Sequence, residues 1–111
     1  MDKLEHYRQA IQTLLERYSQ FGTQHENIEN ELFFDTISDH YQLMSVGWDD
    51  LDRIYHTILH FDIKNGKIWL QQNTTDIDVG QELIDMDIPK EDIVLGLHPA
   101  YKRPYTGYGV A

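Results

Sequence analysis

Residues 54–72 constrain the fold more than any other part of this chain. Two runs of alternating apolar and polar residues flank Asn65-Gly66, a dipeptide that suits a two-residue type I′ turn because both central positions need a positive φ. Side chains alternate between the two faces of a strand, so the hairpin has one apolar face and one mixed face. The predicted apolar face consists of Leu59, Phe61, Ile63, Ile68 and Leu70. The predicted mixed face consists of His56, Ile58, His60, Asp62, Trp69 and Gln71.

The register of this hairpin and of its neighbours follows from the turns. With Asn65-Gly66 as the turn, Phe61 should face Leu70 and Leu59 should face Gln72. Residues 28–35 and 40–48 are typical of two earlier strands, separated by a turn at Ser38-Asp39 and followed by an acidic turn at residues 49–52. If Trp48 pairs with Arg53, the residues that join the apolar face are Met44, Val46 and Tyr55.

Helical periodicity is strongest near the start of the chain. Apolar residues recur at three- and four-residue steps and predict a helix from Asp2 to about Gln20, with Asp2 and Glu5 as a capping box and Gly22 as its end. The residues of this stripe are Leu4, Tyr7, Ile11, Leu14, Leu15 and Tyr18. The helix should therefore lie over the apolar face of the sheet.

A second helix is predicted at residues 77–86, beginning after Thr74-Thr75-Asp76. Beyond it we expect a short turn at residues 89–91, a brief strand at residues 93–95, and a helical turn that opens at His98-Pro99 and stops at Pro104. The expected fold class is α+β: an antiparallel β-meander sheet of four or more strands, an N-terminal helix packed on it and a second helix after the fourth strand. Residues 1–111 are expected to form a single domain.

Charge narrows the possible partners. Nine basic and nineteen acidic residues give a net charge of −10, and an acidic surface is predicted around Asp76, Asp78 and Glu82. Such a surface repels phosphate backbones, so direct binding to duplex DNA is not expected, whereas binding to a basic protein is favoured. The chain has no cysteine, which excludes disulfides and thiolate metal sites. Without a signal sequence or an apolar run long enough for a membrane, the chain is expected to be cytoplasmic.

The histidines and carboxylates of the hairpin are the obvious candidates for chemistry. His56 and His60 lie about 13 Å apart on a strand, too far to share one metal ion. His60 and Asp62 lie about 7 Å apart by the same rise, so a metal site would need a further ligand from a neighbouring strand. His40 can supply that ligand only if the strand register places it beside them. No metal, cofactor or catalytic residue is predicted, and a small hydrolase would need His56, His60 and Asp62 to converge in a pocket.

Aromatic and cationic residues crowd the C-terminal segment. They are His98, Tyr101, Lys102, Arg103, Tyr105 and Tyr108. Such mixtures are enriched at protein interfaces and can also stack on single-stranded bases. Alternatively, the tyrosines only attach the C-terminus to the sheet.

Long segments of this sequence resemble the XisI family, the fdxN-element excision controlling factor I proteins of cyanobacteria. The most specific segment is residues 88–99, IPKEDIVLGLHP. The other matching segments are residues 1–8, 39–43, 46–48, 53–55 and 59–69, with Arg103 and Tyr105-Thr106 near the end. The chain departs from the family pattern at Leu97, where an aromatic residue is expected, and at Pro104, Gly107 and Gly109.

The resemblance implies a noncatalytic accessory role in programmed DNA excision during heterocyst differentiation, together with a companion, XisH, and a recombinase, XisF. The family has no assigned catalytic residues to transfer. We expect the contact with a protein partner, or with a second copy of the chain, to involve Trp69, His98, Tyr101, Arg103 and Tyr105. The alternatives are an antitoxin-like inhibitor that mimics nucleic acid on a nuclease-like partner and, further removed, a small hydrolase.

Overall fold

In the part of the chain that the structure describes, five strands form one sheet in which each strand lies beside its neighbour in sequence, in the order β1-β2-β3-β4-β5. The computed structural model describes residues 2–20 and 26–110. The elements in chain order are α1 (Lys3–Ser19), β1 (Ile28–Asp35), β2 (His40–Asp49), β3 (Asp52–Lys64), β4 (Lys67–Asn73), α2 (Val79–Asp85) and β5 (Ile93–Val94), with 3-10 turns at Lys90–Asp92 and Ala100–Tyr105. The predicted α+β class and the antiparallel pairing of the first four strands are confirmed.

The central turn forms as predicted. Asn65 and Gly66 have φ values of 53° and 76°, as a type I′ turn requires. Phe61 faces Leu70, which confirms the register next to the turn.

A β-bulge shifts the far end of this hairpin by one residue. The shift lies between His60 and Phe61, so that Leu59 faces Asn73. The predicted pairing of Leu59 with Gln72 is therefore wrong, because a turn determines the register only up to the first bulge.

A second bulge changes the predicted register between β2 and β3. Trp48 pairs with Arg53 as predicted, but the register shifts between Leu43 and Met44. Since one residue of slip reverses the alternation of faces, Leu43 shares its face with the core and Met44 does not. The prediction that Met44, Val46 and Tyr55 join the apolar face is therefore wrong.

One face of the sheet packs against α1 and is called the helix-covered face. It is defined by Tyr41, Leu43, Leu59, Phe61 and Ile63, all at most 8% exposed. Helix α1 contacts β1, β2, β3 and α2. The buried core is completed by Tyr7, Ala10, Ile11, Leu14, Leu15, Ile68, Leu70, Val79, Leu83, Ile88 and Ile93. Removal of this apolar surface from water is the main stabilising term of the fold.

The predicted N-terminal helix is confirmed. Asp2 is its N-cap, and the Asp2 side chain accepts a hydrogen bond from the backbone N–H of Glu5 at 2.8 Å. The predicted helix end at Gly22 falls outside the described residues.

Helix α2 begins two residues later than predicted. The side chain of Asn73 accepts hydrogen bonds from the backbone N–H and the hydroxyl of Thr75, which hold the preceding residues in a turn. Asp78 is then the N-cap, accepting from the backbone N–H of Gln81 at 3.1 Å.

The predicted strand after α2 exists, but it is parallel to its neighbour. Ile68 and Trp69 of β4 pair with Ile93 and Val94 of β5, so the meander covers four strands and not the fifth. Pro104 lies inside the last 3-10 turn and does not stop it. Among the described residues, no helix combines the length and the apolar character needed to cross a bilayer.

Candidate functional site

The side of the sheet turned away from α1, here called the opposite face, is defined by His40, Gln42, His60, Asp62 and Trp69. Alternation along β3 produces it, since Phe61 and Ile63 enter the core and Asp62 between them points the other way. Asp62 is nevertheless buried, with 7% of its surface exposed. A buried carboxylate is costly unless it is hydrogen-bonded, so its partners determine what this face can do.

Three side chains from three strands converge on Asp62. His40 Nδ1 lies 2.7 Å from Asp62 Oδ1, and His60 Nε2 lies 2.8 Å from the same oxygen. Gln71 donates from Nε2 to Asp62 Oδ2 at 3.1 Å. These four residues are called the Asp62 cluster. The register places His40 directly opposite Asp62, and the bulge at His60 and Phe61 lies beside Gln71.

Hydrogen bonds control the charge of the cluster. Burial by itself would raise the pKa of Asp62, but the hydrogen bonds from His40 and His60, with that from Gln71, lower it below its usual value. The hydrogen bond to Asp62 raises the pKa of His40, and the negative charge of that carboxylate adds to the effect. Asp62 is therefore ionised near neutral pH, and His40 holds a proton more readily than a free histidine.

The structure meets the condition that the sequence left open for a metal. A nitrogen of His40, a nitrogen of His60 and an oxygen of Asp62 all lie within 4.8 Å of one another. His56 is not in this group. The register shift between Leu43 and Met44 places His56 opposite Ser45, whereas His60 lies opposite Gln42. The arrangement of His56, His60 and Asp62 that a hydrolase would need is therefore not assembled.

Sequence reasoning missed Gln71 as a partner of Asp62 and treated His40 only as a conditional one. The alternation of the hairpin placed Gln71 on the same face as Asp62, which was the available signal. The pairing of His40 with Asp62 depends on the bulge between β2 and β3, for which no residue pattern was evident.

A shallow depression of about 420 Å³ lies beside the cluster. Its lining residues are Leu32, Phe33, Phe34, Asp35, His40 and Gln42. The side chain of His40 is 55% exposed and that of His60 is 27% exposed, so a small ligand can reach the cluster from solvent.

The C-terminal segment packs back onto the opposite face. The Arg103 guanidinium lies 5.0 Å from the centroid of the Trp69 ring, and Lys64 Nζ lies 4.3 Å from it. Arg103 Nε also donates to the carbonyl oxygen of His98 at 3.1 Å. Trp69 is 8% exposed, so it anchors the segment and offers little surface to a partner. The structure thus brings together three of the five predicted partner-binding residues: Trp69, His98 and Arg103.

The other two predicted partner-binding residues, Tyr101 and Tyr105, are exposed. Tyr101 is 71% exposed and Tyr105 is 88% exposed, both on the 3-10 turn that Arg103 attaches to the sheet. Each presents a large aromatic ring to solvent. The C-terminal segment therefore contains both a part attached to the sheet and an exposed aromatic surface. The sequence had allowed either of these roles for the segment.

The three predicted acidic surface residues differ in their contacts. Glu82 accepts from Arg17 Nη1 at 3.1 Å and from the Tyr18 hydroxyl at 2.6 Å. Asp78 caps α2, while Asp76 is exposed. Two of the three carboxylates are therefore engaged within the fold, which weakens the case for them as a mimic of nucleic acid.

Fold and site together define a class: a small α+β protein with a helix packed on one face of its sheet and a histidine–carboxylate cluster on the other. The chain belongs to the XisI family, because the family model described as XisI protein matches residues 1–110. A crystal structure of a XisI-like protein from Anabaena variabilis is 49% identical, with a TM-score of 0.93, and the match covers 99% of this chain and 100% of that one.

A second crystal structure is that of the fdxN element excision controlling factor XisI from Anabaena variabilis. It is 35% identical with a TM-score of 0.88, and the match covers 99% of this chain and 100% of the other. A comparison with curated proteins finds no match. The resemblance inferred from the sequence motifs is thereby confirmed.

Proposed function

We propose that this protein is a noncatalytic controlling factor for the excision of a DNA element, of the fdxN type, in the cytoplasm. It acts by binding a protein partner, a XisH-like companion, and through it a XisF-like recombinase. The observation that carries the proposal is full-length similarity, at 35% identity, to a protein that bears the name of such a factor.

Charge supports action through a protein. A net charge of −10 disfavours binding to duplex DNA, because affinity for duplex DNA arises mostly from cationic side chains that neutralise phosphates. An acidic surface attracts a basic partner and speeds their encounter. A DNA-handling partner is expected to be basic, so the two charges are complementary.

The aromatic surface of Tyr101 and Tyr105 supports a specific contact. Tyrosine contributes large apolar area and a hydroxyl at low conformational cost, and it is enriched among interface residues that contribute most of the binding energy. Arg103 and Trp69 hold this segment on the sheet, so the two tyrosines are presented from a fixed backbone. The contact residues are therefore Tyr101 and Tyr105, and Trp69, His98 and Arg103 support them.

Coexpression with a tagged XisH-like companion tests the proposal. The double variant Tyr101→Ala with Tyr105→Ala should reduce the affinity about tenfold or more, because each tyrosine fills part of a buried contact. The matched control is Tyr55→Ala on β3, which removes a tyrosine that is 65% exposed elsewhere. Equal recovery of the companion by the double variant and by the wild type would exclude this surface.

A DNA-binding measurement tests the charge argument separately. The purified chain should show no tight binding to duplex DNA at physiological salt. Tight binding by the chain alone would overturn the proposal of action through a protein. Size-exclusion chromatography of the free chain and of the double variant distinguishes the alternative that Tyr101 and Tyr105 join two copies of the chain.

A further inference from the structure

We propose that the Asp62 cluster is a binding site for a divalent transition-metal ion, with Zn²⁺ as the representative ion. The ligands are His40 Nδ1, His60 Nε2 and a carboxylate oxygen of Asp62. Nothing in the proposed partner contact requires this site, so the two proposals stand or fall separately.

The donor atoms suit this class of ion. Imidazole nitrogen and carboxylate oxygen are common ligands of Zn²⁺, and two imidazoles favour transition metals over Mg²⁺ or Ca²⁺, which prefer oxygen alone. The net charge of −10 also favours binding of a cation.

The distances need only a small adjustment. A tetrahedral ion bonded at about 2.0–2.1 Å holds its ligand atoms about 3.4 Å apart. The two N···O distances are now 2.7 and 2.8 Å, and the three donor atoms lie within 4.8 Å of one another. Opening each N···O contact by about 0.6 Å, and bringing the two nitrogens from within 4.8 Å of each other to about 3.4 Å, admits the ion. The ion then occupies the position between the nitrogens and Oδ1 that hydrogen-bonding protons occupy in its absence.

The ligands are supported by rigid elements. His40 lies on β2, while His60 and Asp62 lie on β3, within the paired region of the sheet. Gln71 on β4 donates to Asp62 Oδ2 and so leaves Oδ1 directed toward both imidazoles. Such outer hydrogen bonds fix the orientation of a ligand and raise metal affinity. Gln71 is therefore a positioning residue.

One side of the site is open. Three protein ligands leave at least one coordination position, and the exposed side chain of His40 borders the depression lined by Phe33 and Gln42. A water molecule or a side chain of another protein can reach that position.

Calorimetric titration of metal-free protein with Zn²⁺ tests the proposal. We expect one ion per chain, with at least a tenfold loss of affinity in His40→Ala and in His60→Ala. The matched control is His56→Ala, which removes an exposed histidine of β3 that lies outside the cluster and should leave binding unchanged. Gln71→Leu should weaken binding about tenfold while all three ligands remain.

Co²⁺ in place of Zn²⁺ supplies a second readout. The wild type should develop the visible absorption of Co²⁺ bound to nitrogen and oxygen, and His40→Ala should lose it. Circular dichroism of each variant ensures that a loss of binding is compared only among folded proteins. Absence of binding by the wild type, or binding that persists unchanged in both histidine variants, would overturn the proposal.

Discussion

Phe61 and Asp62 are adjacent residues of β3 with similar burial, at 0% and 7% exposed, yet their surroundings have opposite chemistry. Phe61 lies among the apolar side chains of the core, with Tyr41 opposite it on β2 and Leu70 opposite it on β4. Asp62 lies on the opposite face between two imidazoles and an amide.

The difference separates stability from recognition. Apolar burial is not directional, so the helix-covered face depends on total area and close packing. A buried carboxylate depends on each donor, because one missing partner leaves an uncompensated charge. The helix-covered face should therefore determine whether the chain folds, and the opposite face what it binds.

The largest expected effect comes from breaking the helix-covered face. Phe61→Ala should lower the free energy of unfolding by about 3–5 kcal/mol, because it removes a fully buried ring and leaves a cavity. Urea denaturation measures this change. Tyr55→Ala on the same strand, at 65% exposed, should cost less than about 0.5 kcal/mol. Similar costs for the two variants would contradict the division between the faces.

The next effect concerns the polar edge where α1 meets the sheet. Arg8 Nε donates to Asp39 Oδ1 at 2.9 Å, and the Tyr41 hydroxyl donates to the same oxygen at 2.9 Å. Asp39→Asn should lower the free energy of unfolding at pH 7 by about 1–2 kcal/mol, since the acceptor of these hydrogen bonds changes from a charged carboxylate to a neutral amide oxygen. Asparagine tolerates the left-handed backbone of this position, where φ is 58°.

This effect should depend on pH in a defined direction. The hydrogen bond from Arg8 lowers the pKa of Asp39, although burial opposes it. Because the pKa is lowered in the folded state, the stabilisation is present above the usual aspartate pKa and is lost as pH falls through the lower, folded value. The difference between wild type and Asp39→Asn should shrink below about pH 4. A difference that grows on acidification would refute the assignment.

Glu5 provides the matched control for that measurement. Its carboxylate lies 3.6 Å from Arg8 Nη1, and its side chain is 47% exposed, so Glu5→Gln should change stability less than Asp39→Asn does.

A smaller effect is expected at Trp69. Its Nε1 is buried, and among residues 2–20 and 26–110 nothing accepts its hydrogen bond. Trp69→Phe keeps an aromatic ring for Arg103 and removes this N–H, so the free energy of unfolding should fall by less than about 1.5 kcal/mol. Trp69→Ala, as the comparison, should cost more than Trp69→Phe but less than Phe61→Ala, because it removes the ring that contacts Arg103 and Lys64. Equal losses of stability in the two variants would mean that the indole N–H, and not the aromatic ring, provides the stabilisation at this position.

The smallest effect is expected at Tyr105. Because this side chain is 88% exposed, Tyr105→Ala should change the free energy of unfolding by less than about 0.5 kcal/mol. Thermal unfolding checks this, and a large drop in the melting temperature would place Tyr105 in the fold and not in a partner contact.

Much of the fold could be predicted because its signals are local. The type I′ turn depends on two residues, Asn65 and Gly66, and the N-cap of α1 on Asp2 and the backbone three residues later. The bounds of β1 were predicted from its own composition and flanking turns. Such features depend on backbone preferences that do not require distant partners.

Only the tertiary structure decided which residues meet across the sheet. Two bulges set the faces of Met44 and His56, brought His40 to Asp62 and placed Gln71 beside it. The tertiary structure likewise determined that β5 is parallel to β4 and that Glu82 forms an ion pair with Arg17. The sequence alone determined the turns, the helix caps and the apolar runs of this protein. Its strand register and its polar cluster depend on contacts between residues far apart in the chain, and the energies of those contacts are determined only when the core is packed.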